Sequence, residues 1–437
     1  MPFINIKDST DRVSFEQAVL KPLGNHQGLY MPEQIPALSP DCFSQSAFSN
    51  DSFQQIAFNV LRTFTSDSLN EAQLESLIQR AFNFPLKLHS LSDSQHILEL
   101  FHGPTLAFKD FGARFLAECL SQFTHEPITI ITATSGDTGA AVAHAFHADS
   151  FQNHALQNKA HINVVILYPK GKISIEQEQL FCTLGNNIHT VAVEADFDTC
   201  QSLVKQAFDD KEINQKHRLN SANSINIARL LAQVCYYAAL PQLLKQPIDT
   251  IAVPCGNFGN ITAGLIAQKM GVPIKHFIAA TNANDTVPRF FEEGQWQPRP
   301  TVRTSSNAMD VASPNNFPRL LHFYKEHPEQ MHRDISAIAI SESEVEQTML
   351  KTHQAGYTID PHTAVALRAI QKTNVTGQSV ALSTAHPAKF AQSVESITGE
   401  AVELPDTIRN PLNKPNLSTT MDSNFKSLKD YLMNSIL

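Results

Sequence analysis

Short apolar runs alternate with amphipathic patterns along most of the chain after about residue 95. A short apolar run bounded by turn residues is typical of a buried strand, and apolar positions that recur every three to four residues are typical of a helix. Strands are predicted on this basis at residues 128–132, 163–168, 188–193, 250–253, 275–281 and 379–382. Helices are predicted at residues 140–146, 197–208 and 261–270. Ser174 with Gln177 is typical of a capping box that opens one more helix.

This alternation predicts an α/β fold with two open, twisted, mostly parallel sheets that carry helices on both faces. If the sheets divide near residues 130–220, a cleft lies at the carboxyl ends of their strands, where open α/β sheets bind ligands. Residues 1–90 are mixed and polar, and they predict a small, mainly helical N-terminal domain. We expect the larger of the other two domains to contain 91–127 and 222–437, and the smaller one to contain 128–221.

The composition argues against several classes of protein. The 437 residues include 33 Lys and Arg against 42 Asp and Glu, a net charge of −9, and no basic block that would bind nucleic acid. The N-terminus does not read as a secretory signal, and no apolar run reaches the roughly 18 to 20 residues that span a bilayer. The six cysteines form no C-x-x-C pair. We therefore expect free thiols, no metal site, no nucleic-acid or membrane partner, and a cytoplasmic location.

A lysine stands at the predicted start of a helix, just after a turn that contains Gly103 and Pro104. Apolar positions between 108 and 120 give that helix one face, and Lys109 lies one step off it. The positive end of the helix dipole disfavours a protonated amine there, which suits a lysine that forms a Schiff base. A surface lysine whose stem packs along the protein would give the same local pattern.

Two loops each join a predicted strand to a predicted helix, where backbone N–H groups can bind an anion. The first loop consists of Ser135, Gly136, Asp137, Thr138 and Gly139. Its hydroxyls add donors, but the Asp137 carboxylate opposes an anion unless it points elsewhere or caps the helix. The second loop consists of Gly256, Asn257, Phe258, Gly259 and Asn260, whose glycines let the backbone approach a phosphate closely. A plain capping turn is the alternative interpretation of each loop.

Thr384 follows the last clear strand, and its hydroxyl can hydrogen-bond a heteroaromatic nitrogen. A helix cap is the alternative, and the role of the nearby His386 stays open. A reactive lysine together with two anion-binding loops suits an aldehyde cofactor that carries a phosphate, acting on an anionic substrate. Pyridoxal phosphate is that cofactor.

Four long runs closely resemble the threonine synthase family, in the bacterial and fungal branch that has its own N-terminal domain. They read LFHGPTLAFKDF at 100–111, TATSGDTGAA at 132–141, GNFGN at 256–260 and TAHPAKF at 384–390. Further matching runs lie at 168–174, 220–226, 279–282, 284–290 and 306–311. The resemblance extends from residue 27 to about residue 400, and its runs are in the family's order. It implies a fold type II pyridoxal-phosphate enzyme.

The resemblance also implies a role for each matching residue. Lys109 would carry the cofactor as a Schiff base and then act as general base at the substrate Cα. Backbone amides of Gly256, Asn257, Phe258, Gly259 and Asn260 would hold the cofactor phosphate, and Thr384 would face the pyridine nitrogen. The substrate carboxylate would be held by Thr134, Ser135, Gly136, Asp137, Thr138 and Gly139. The candidates for binding the substrate phosphate are Lys172, Ser174, Asn223 and Arg229.

The implied reaction is a β,γ-replacement that converts O-phospho-L-homoserine and water into L-threonine and phosphate, the last step of threonine biosynthesis. We expect it to be performed by a monomer or a homodimer. The apolar helical pattern around Arg229 favours a surface position for its guanidinium over an inward one. Cys255 stands where the family is expected to have Ser, which removes a hydroxyl donor but no backbone amide.

Three other functions are alternatives, and a feature of the sequence argues against each. Another fold type II lyase, such as a serine or threonine dehydratase, would eliminate without adding water, and the loop at 135–139 and the N-terminal domain argue against it. A descendant that binds the cofactor without turnover would have lost Lys109, Thr384 or one of the loops. A nucleotide enzyme would need a Walker A pattern, which the chain lacks.

Overall fold

The computed structural model describes residues 1–43, 48–124, 126–148, 162–373 and 375–436. Its strands are β1 (Phe3–Asn5), β2 (Asp8–Val13), β3 (Tyr30–Pro32), β4 (Lys87–Ser90), β5 (Gln95–Glu99), β6 (Ile128–Ala133), β7 (Ile162–Pro169), β8 (Ile188–Val193), β9 (Leu219–Asn220), β10 (Ile248–Pro254), β11 (Ile274–Thr281), β12 (Ile335–Ala339), β13 (Ser379–Ser383) and β14 (Thr419–Met421). All six predicted strands are therefore confirmed, with bounds that agree to within two residues.

The helices alternate with these strands. They are α1 (Phe15–Leu20), α2 (Asn50–Thr65), α3 (Glu71–Ala81), α4 (Lys109–Phe123), α5 (Asp137–Phe146), α6 (Ile175–Cys182), α7 (Phe197–Asp209), α8 (Lys211–His217), α9 (Ile227–Leu244), α10 (Gly259–Lys269), α11 (Thr286–Glu293), α12 (Phe317–Phe323), α13 (Pro328–Asp334), α14 (Glu342–Gln354), α15 (Pro361–Lys372), α16 (Ala391–Thr398), α17 (Asp406–Leu412) and α18 (Phe425–Ser435). The predicted helices are confirmed, but α5 and α10 begin inside the two predicted anion loops.

The larger sheet has six strands in the order β12-β11-β10-β13-β5-β4. All neighbouring pairs are parallel except the edge pair, in which β4 is antiparallel to β5. Parallel strands covered on both faces are apolar throughout, and β10 accordingly buries six of its seven residues. β4 was expected in the N-terminal domain at residues 1–90, but it extends this sheet instead.

The smaller sheet has five parallel strands in the order β14-β8-β7-β6-β9. All six residues of β6 are buried. The C-terminal end of the chain returns to this sheet, since β14 pairs with β8 and α18 packs Leu428 and Leu432 into its core. This corrects the expectation that 222–437 lies in the larger domain. The apolar pattern gave no sign of β14, because two of its three residues are exposed.

The N-terminal residues contain a three-stranded antiparallel sheet, β2-β1-β3, in addition to the expected helices. Phenylalanine side chains join this part of the chain to α4. The ring of Phe111 lies 5.8 Å from Phe53, 5.8 Å from Phe82 and 4.8 Å from Phe84, measured between ring centroids. Such pairs add about 0.5–1.5 kcal/mol each beyond their area burial. The N-terminal region therefore fixes the helix that begins at Lys109.

By length and composition, α9 could cross a membrane, with 18 residues and a mean hydropathy of 1.2. From the sequence, no apolar run was expected to be long enough to span a bilayer. That expectation counted only uninterrupted apolar residues, and Arg229 and Gln233 interrupt the apolar sequence of α9. In the structure 94% of the helix is buried inside the protein. It packs against α2, α4 and α10, which is the position of a core helix.

Candidate active site

A cavity lies at the carboxyl ends of β6, β10 and β13, so both parallel sheets contribute to its wall. This is the edge at which open α/β sheets bind ligands. The predicted site residues that line it are Lys109, Thr134, Ser135, Asp137, Thr138, Asn223, Arg229, Gly256, Asn257, Phe258, Gly259, Asn260 and Thr384. The structure therefore brings together most of the residues that the sequence analysis selected.

The side chain of Lys109 reaches into this cavity from the first position of α4. The preceding loop is tied to the end of β13, because the Phe108 N–H donates to the Thr384 carbonyl at 2.9 Å. Burial lowers the pKa of the Lys109 amine. Asp137 opposes that effect, whereas the cations Lys389 and Arg229 add to it. The amine is thus biased toward the neutral form that attacks an aldehyde.

Asp137 resolves the doubt that the sequence raised about an acid in an anion loop. Its Oδ1 lies 2.7 Å from Lys389 Nζ and accepts from Gln177 Nε2 at 3.1 Å, and its Oδ2 accepts from Lys109 Nζ at 3.4 Å. Burial alone would raise the pKa of this carboxyl, but the charges of the two lysines outweigh it and hold the pKa well below its usual range. The negative charge is therefore neutralised inside the site.

The hydroxyl groups in the loop at the start of α5 have two different roles: one stabilises the loop, and two face the cavity. Thr134 Oγ1 accepts from the N–H groups of Gly136 at 3.0 Å and Gly139 at 2.8 Å, so it shapes the loop. Gly136 has φ = +136°, and a Cβ there would lie 2.7 Å from the Gln177 side chain. Ser135 and Thr138 line the cavity, and within the described ranges their hydroxyls have no protein partner. These two hydroxyls can bind an anion.

The glycine-rich loop before α10 leaves room for a bound group. Phe258 has φ = +61° and caps the helix with its backbone in the left-handed region. A Cβ on Gly256 would lie 2.8 Å from Met309 Cα, so the cavity wall would have to move to admit one. The first N–H groups of a helix have no acceptor within it and form an anion site.

Asn260 and Arg229 each place a buried nitrogen donor in the cavity wall that has no partner among the residues that the structure describes. Asn260 Oδ1 accepts from the hydroxyls of Tyr236 at 2.6 Å and Tyr237 at 2.8 Å, which leaves its buried Nδ2 unpaired. Arg229 is only 4% exposed, and its Nε is also unpaired. Native proteins rarely leave such donors unsatisfied, so both point to a bound anionic group. With the Lys109 amine and the α10 amides, they fit pyridoxal phosphate and an anionic substrate.

The structure corrects the expected position of one candidate ligand of the substrate phosphate, and two other candidates do not line the cavity. The Arg229 guanidinium faces the interior, where its Nη1 donates to the Ala222 carbonyl, and so its predicted surface position was wrong. The helix that carries Arg229 is buried on all sides, which an apolar pattern does not distinguish from one buried face. Lys172 is exposed, and Ser174 accepts from the Gln177 N–H as the cap of α6. Neither lines the cavity, whereas Asn223 does.

His386, whose role the sequence left open, has a structural one. Its Nδ1 accepts from the Ala388 N–H at 3.1 Å, and its ring packs edge-to-face on Phe101 at 5.2 Å. These contacts fix the turn that follows Thr384.

Three family models match the chain: "Threonine synthase N terminus" at residues 2–82, "Pyridoxal-phosphate dependent enzyme" at 87–384, and "Threonine synthase, C-terminal" at 363–432. Threonine synthase of Haemophilus influenzae is 50% identical to this chain over 100% of both sequences. The crystal structure of threonine synthase from Escherichia coli covers 100% of both chains at 46% identity with a TM-score of 0.88. The structure of PLP-bound threonine synthase from Brucella melitensis covers 100% of this chain and 99% of that one, at 30% identity with a TM-score of 0.91.

The chain belongs to the threonine synthase family. It is a pyridoxal-phosphate-dependent lyase of fold type II, as the resemblance of its motifs implied. The family relationship, the fold class and the cofactor predicted from the sequence are thereby confirmed.

Sequence reasoning did not select Lys389, a charged residue beside the cavity of this threonine synthase site. Lys389 is fully buried, and its Nζ donates to the Thr105 carbonyl at 2.8 Å besides pairing with Asp137. Lys389 lies in the run TAHPAKF, so the resemblance marked it, but no local pattern gave it a role. In the structure it neutralises Asp137 and thereby leaves the Lys109 amine without a full counter-charge.

Replacing Lys389 by Met should raise the pKa of the Lys109 amine. Asp137 would then have Lys109 as its one cationic partner, and a like charge near that amine would be gone. A higher pKa means that less neutral amine is present at a given pH. Covalent attachment of pyridoxal phosphate to cofactor-free protein should therefore need a higher pH, which rapid-mixing absorbance would measure. The exposed Lys414→Met is the control, and an unchanged pH midpoint in Lys389→Met would contradict the prediction.

Proposed function

We propose that this protein converts O-phospho-L-homoserine and water into L-threonine and phosphate by a β,γ-replacement. The observation that carries the proposal is one cavity that contains a partly buried lysine, two loops at helix starts and a buried guanidinium whose Nε has no partner in the described residues. That set of groups suits a phosphorylated aldehyde cofactor together with a substrate that carries both a carboxylate and a phosphate. The threonine synthase relatives support the same reaction.

Lys109 is the proposed catalytic residue. Its amine would hold the cofactor covalently, and the same amine, once free, would remove the proton from the substrate Cα. Burial and the neighbouring cations favour its neutral form, which a base at Cα requires. When bound, pyridoxal phosphate supplies an electron sink for the carbanions that proton removal leaves. The protein's part is to orient the reacting groups and to move protons between them.

In this proposal each of the two loops at helix starts binds a different anionic group: the loop before α10 binds the cofactor phosphate, and the loop before α5 binds the substrate carboxylate. The amides of Gly256–Asn260 and the Asn260 Nδ2 would hold the cofactor phosphate, and the Thr384 hydroxyl would hydrogen-bond the pyridine nitrogen. Ser135 and Thr138 hold the substrate carboxylate, since their hydroxyls line the cavity without a protein partner in the described part of the chain. Loop amides at the start of α5 add to that site.

Arg229 and Asn223 are the proposed ligands of the substrate phosphate. Both line the cavity, and Arg229 brings a cation whose Nε still lacks an acceptor. Guanidinium groups bind phosphate through several N–H donors at once. Lys172 and Ser174 remain predictions from the resemblance, since neither lines the cavity.

We further propose that the enzyme is cytoplasmic and acts as a monomer or homodimer. The support for the location is that all six cysteines are free, five of them buried, which suits a reducing compartment.

The test of the proposed reaction is simultaneous assay of both products. Purified protein with pyridoxal phosphate and O-phospho-L-homoserine should release L-threonine and inorganic phosphate in equal amounts. L-Serine and L-threonine should give no 2-oxo acid at a comparable rate, which separates this reaction from that of a dehydratase. Phosphate without threonine, accompanied by 2-oxobutyrate, would contradict the proposal and indicate elimination instead.

A further inference from the structure

A histidine that the sequence analysis did not select points into the same cavity. His362 is the second residue of α15, is 3% exposed, and lines the cavity together with Thr384. Its Nε2 is buried and has no partner among the residues that the structure describes. A buried ring nitrogen without a partner that faces a ligand cavity indicates that a ligand atom satisfies it.

The ring of His362 is held in one orientation by Asp360. The Nδ1–H donates to Asp360 Oδ2 at 2.6 Å, and the same oxygen accepts from the His362 N–H at 3.0 Å. The other oxygen accepts from the N–H and the hydroxyl of Thr363, whose Oγ1 also lies 2.7 Å from Ser383 Oγ. The Phe390 ring packs on the imidazole at 4.8 Å. A proton fixed on Nδ1 leaves the lone pair of the neutral ring on Nε2.

The other titratable side chains in the described wall of the cavity, apart from Lys109, are engaged with neighbouring groups or already protonated. Asp137 is ion-paired with two lysines. Burial raises the pKa of the Asp310 carboxyl, but both of its oxygens are engaged: Oδ1 accepts from two asparagines and a threonine hydroxyl, and Oδ2 accepts from the Thr304 N–H. Burial raises the pKa of the Cys255 thiol, and Arg229 has only donors.

If the proposed function holds, one further proton has to be taken from water, either by the released phosphate directly or by a side chain of the cavity. A water molecule has to lose one proton while its oxygen bonds to the substrate Cβ, and Lys109 is committed to Cα. A base with an open nitrogen in the cavity can perform this step.

We propose that His362 is a second catalytic residue, whose Nε2 takes the proton of the water that adds to the substrate Cβ. An O–H bond of water breaks and its oxygen bonds to Cβ, while the Cα–Cβ double bond opens and its electron pair moves to Cα, which takes back a proton from Lys109; the proton of the water goes to Nε2. The ring then gives that proton to the released phosphate, so threonine and hydrogen phosphate are the products and no other reactant is needed. Asp360 is a positioning residue for this step. The inference rests on the proposed function and assigns one of its proton transfers.

The test compares the wild-type holoenzyme with His362→Gln, Asp360→Asn and the exposed control His332→Gln. Each is mixed with O-phospho-L-homoserine, and phosphate, threonine and 2-oxobutyrate are measured over the first turnovers. In His362→Gln, threonine formation should fall about 100- to 1000-fold, while phosphate release falls much less and 2-oxobutyrate appears. Asp360→Asn should show the same split between products to a smaller degree. His332→Gln should match the wild type.

The visible spectrum of the cofactor and its dissociation constant are measured on the same proteins. Both should be unchanged in His362→Gln, because Nε2 is assigned to water rather than to the cofactor. Weakened cofactor binding with equal losses of phosphate and threonine would overturn the inference and make His362 a cofactor ligand. Wild-type rates in both variants would also overturn it. A wild-type enzyme that makes no threonine from this substrate would overturn the proposed function and this inference together.

Discussion

Replacing Lys109 by Ala should abolish threonine formation and the covalent attachment of pyridoxal phosphate. The side chain supplies both the attachment amine and the base at Cα, so its removal eliminates two steps at once. Loss of a general base alone typically costs about 10²- to 10⁴-fold in rate. We therefore expect kcat to fall by at least about 10³-fold. Cofactor can still enter the cavity, because the phosphate loop and Thr384 are unchanged.

The measurement combines kinetics with peptide mapping. Wild-type protein, Lys109→Ala and the exposed control Lys414→Ala are loaded with cofactor, reduced with borohydride and digested. The label should appear on the peptide that contains Lys109 in the wild type and in the control, and should be absent from Lys109→Ala. Lys389 is a second amine beside the site, fully buried and paired with Asp137 at 2.7 Å. A label on Lys389 in the wild type would contradict the assignment of the attachment lysine.

The parallel core of the fold was predictable from sequence because its strands are buried on both faces. Strands such as β6 and β10 then consist of nearly continuous apolar residues, and turn residues mark their ends. The N-terminal sheet and β14 escaped prediction because their strands are short or partly exposed. Their pairing depends on contacts that are distant in sequence, so no local pattern marks them.

Some residues of the candidate site were likewise predictable from the sequence, and others were not. Lys109 and the two loops were predictable because strand-to-helix junctions leave backbone amides free at known places. The positions of Arg229 and Lys389 were not, since a buried cation depends on partners from other elements. The carbonyl partner of Lys389 is Thr105, 284 residues away, and its carboxylate partner is Asp137. His362 likewise becomes notable only when its unpaired nitrogen is seen to face the cavity.

One buried arginine joins the N-terminal region to the wall of the active site. Arg319 on α12 is 0% exposed, and its Nε donates to the Tyr30 carbonyl in β3 at 3.1 Å. Its two terminal nitrogens donate to the carbonyls of Ser224 at 3.4 Å and Ile225 at 2.7 Å, next to the predicted phosphate ligand Asn223. The guanidinium thus satisfies three backbone carbonyls that come from two separate segments.

Replacing Arg319 by Met should lower the free energy of unfolding by about 3–5 kcal/mol. Methionine fills part of the volume but offers no donor, so the three carbonyls are left unsatisfied inside the protein. Urea unfolding of the cofactor-free protein, followed by far-UV circular dichroism, would measure the change. The exposed Arg303→Met should stay within about 0.5 kcal/mol of the wild type.

Arg319→Lys separates the charge of this residue from its geometry. A lysine keeps the cation but cannot donate in three fixed directions, so its loss of stability should approach that of Arg319→Met. The binding constant for phosphate should weaken in both variants, because the segment that carries Asn223 loses its anchor at Ser224 and Ile225. A destabilisation in Arg319→Met no larger than that in Arg303→Met would contradict the anchoring role. Full stability in Arg319→Lys would show instead that charge alone, and not the three-way geometry, joins these segments.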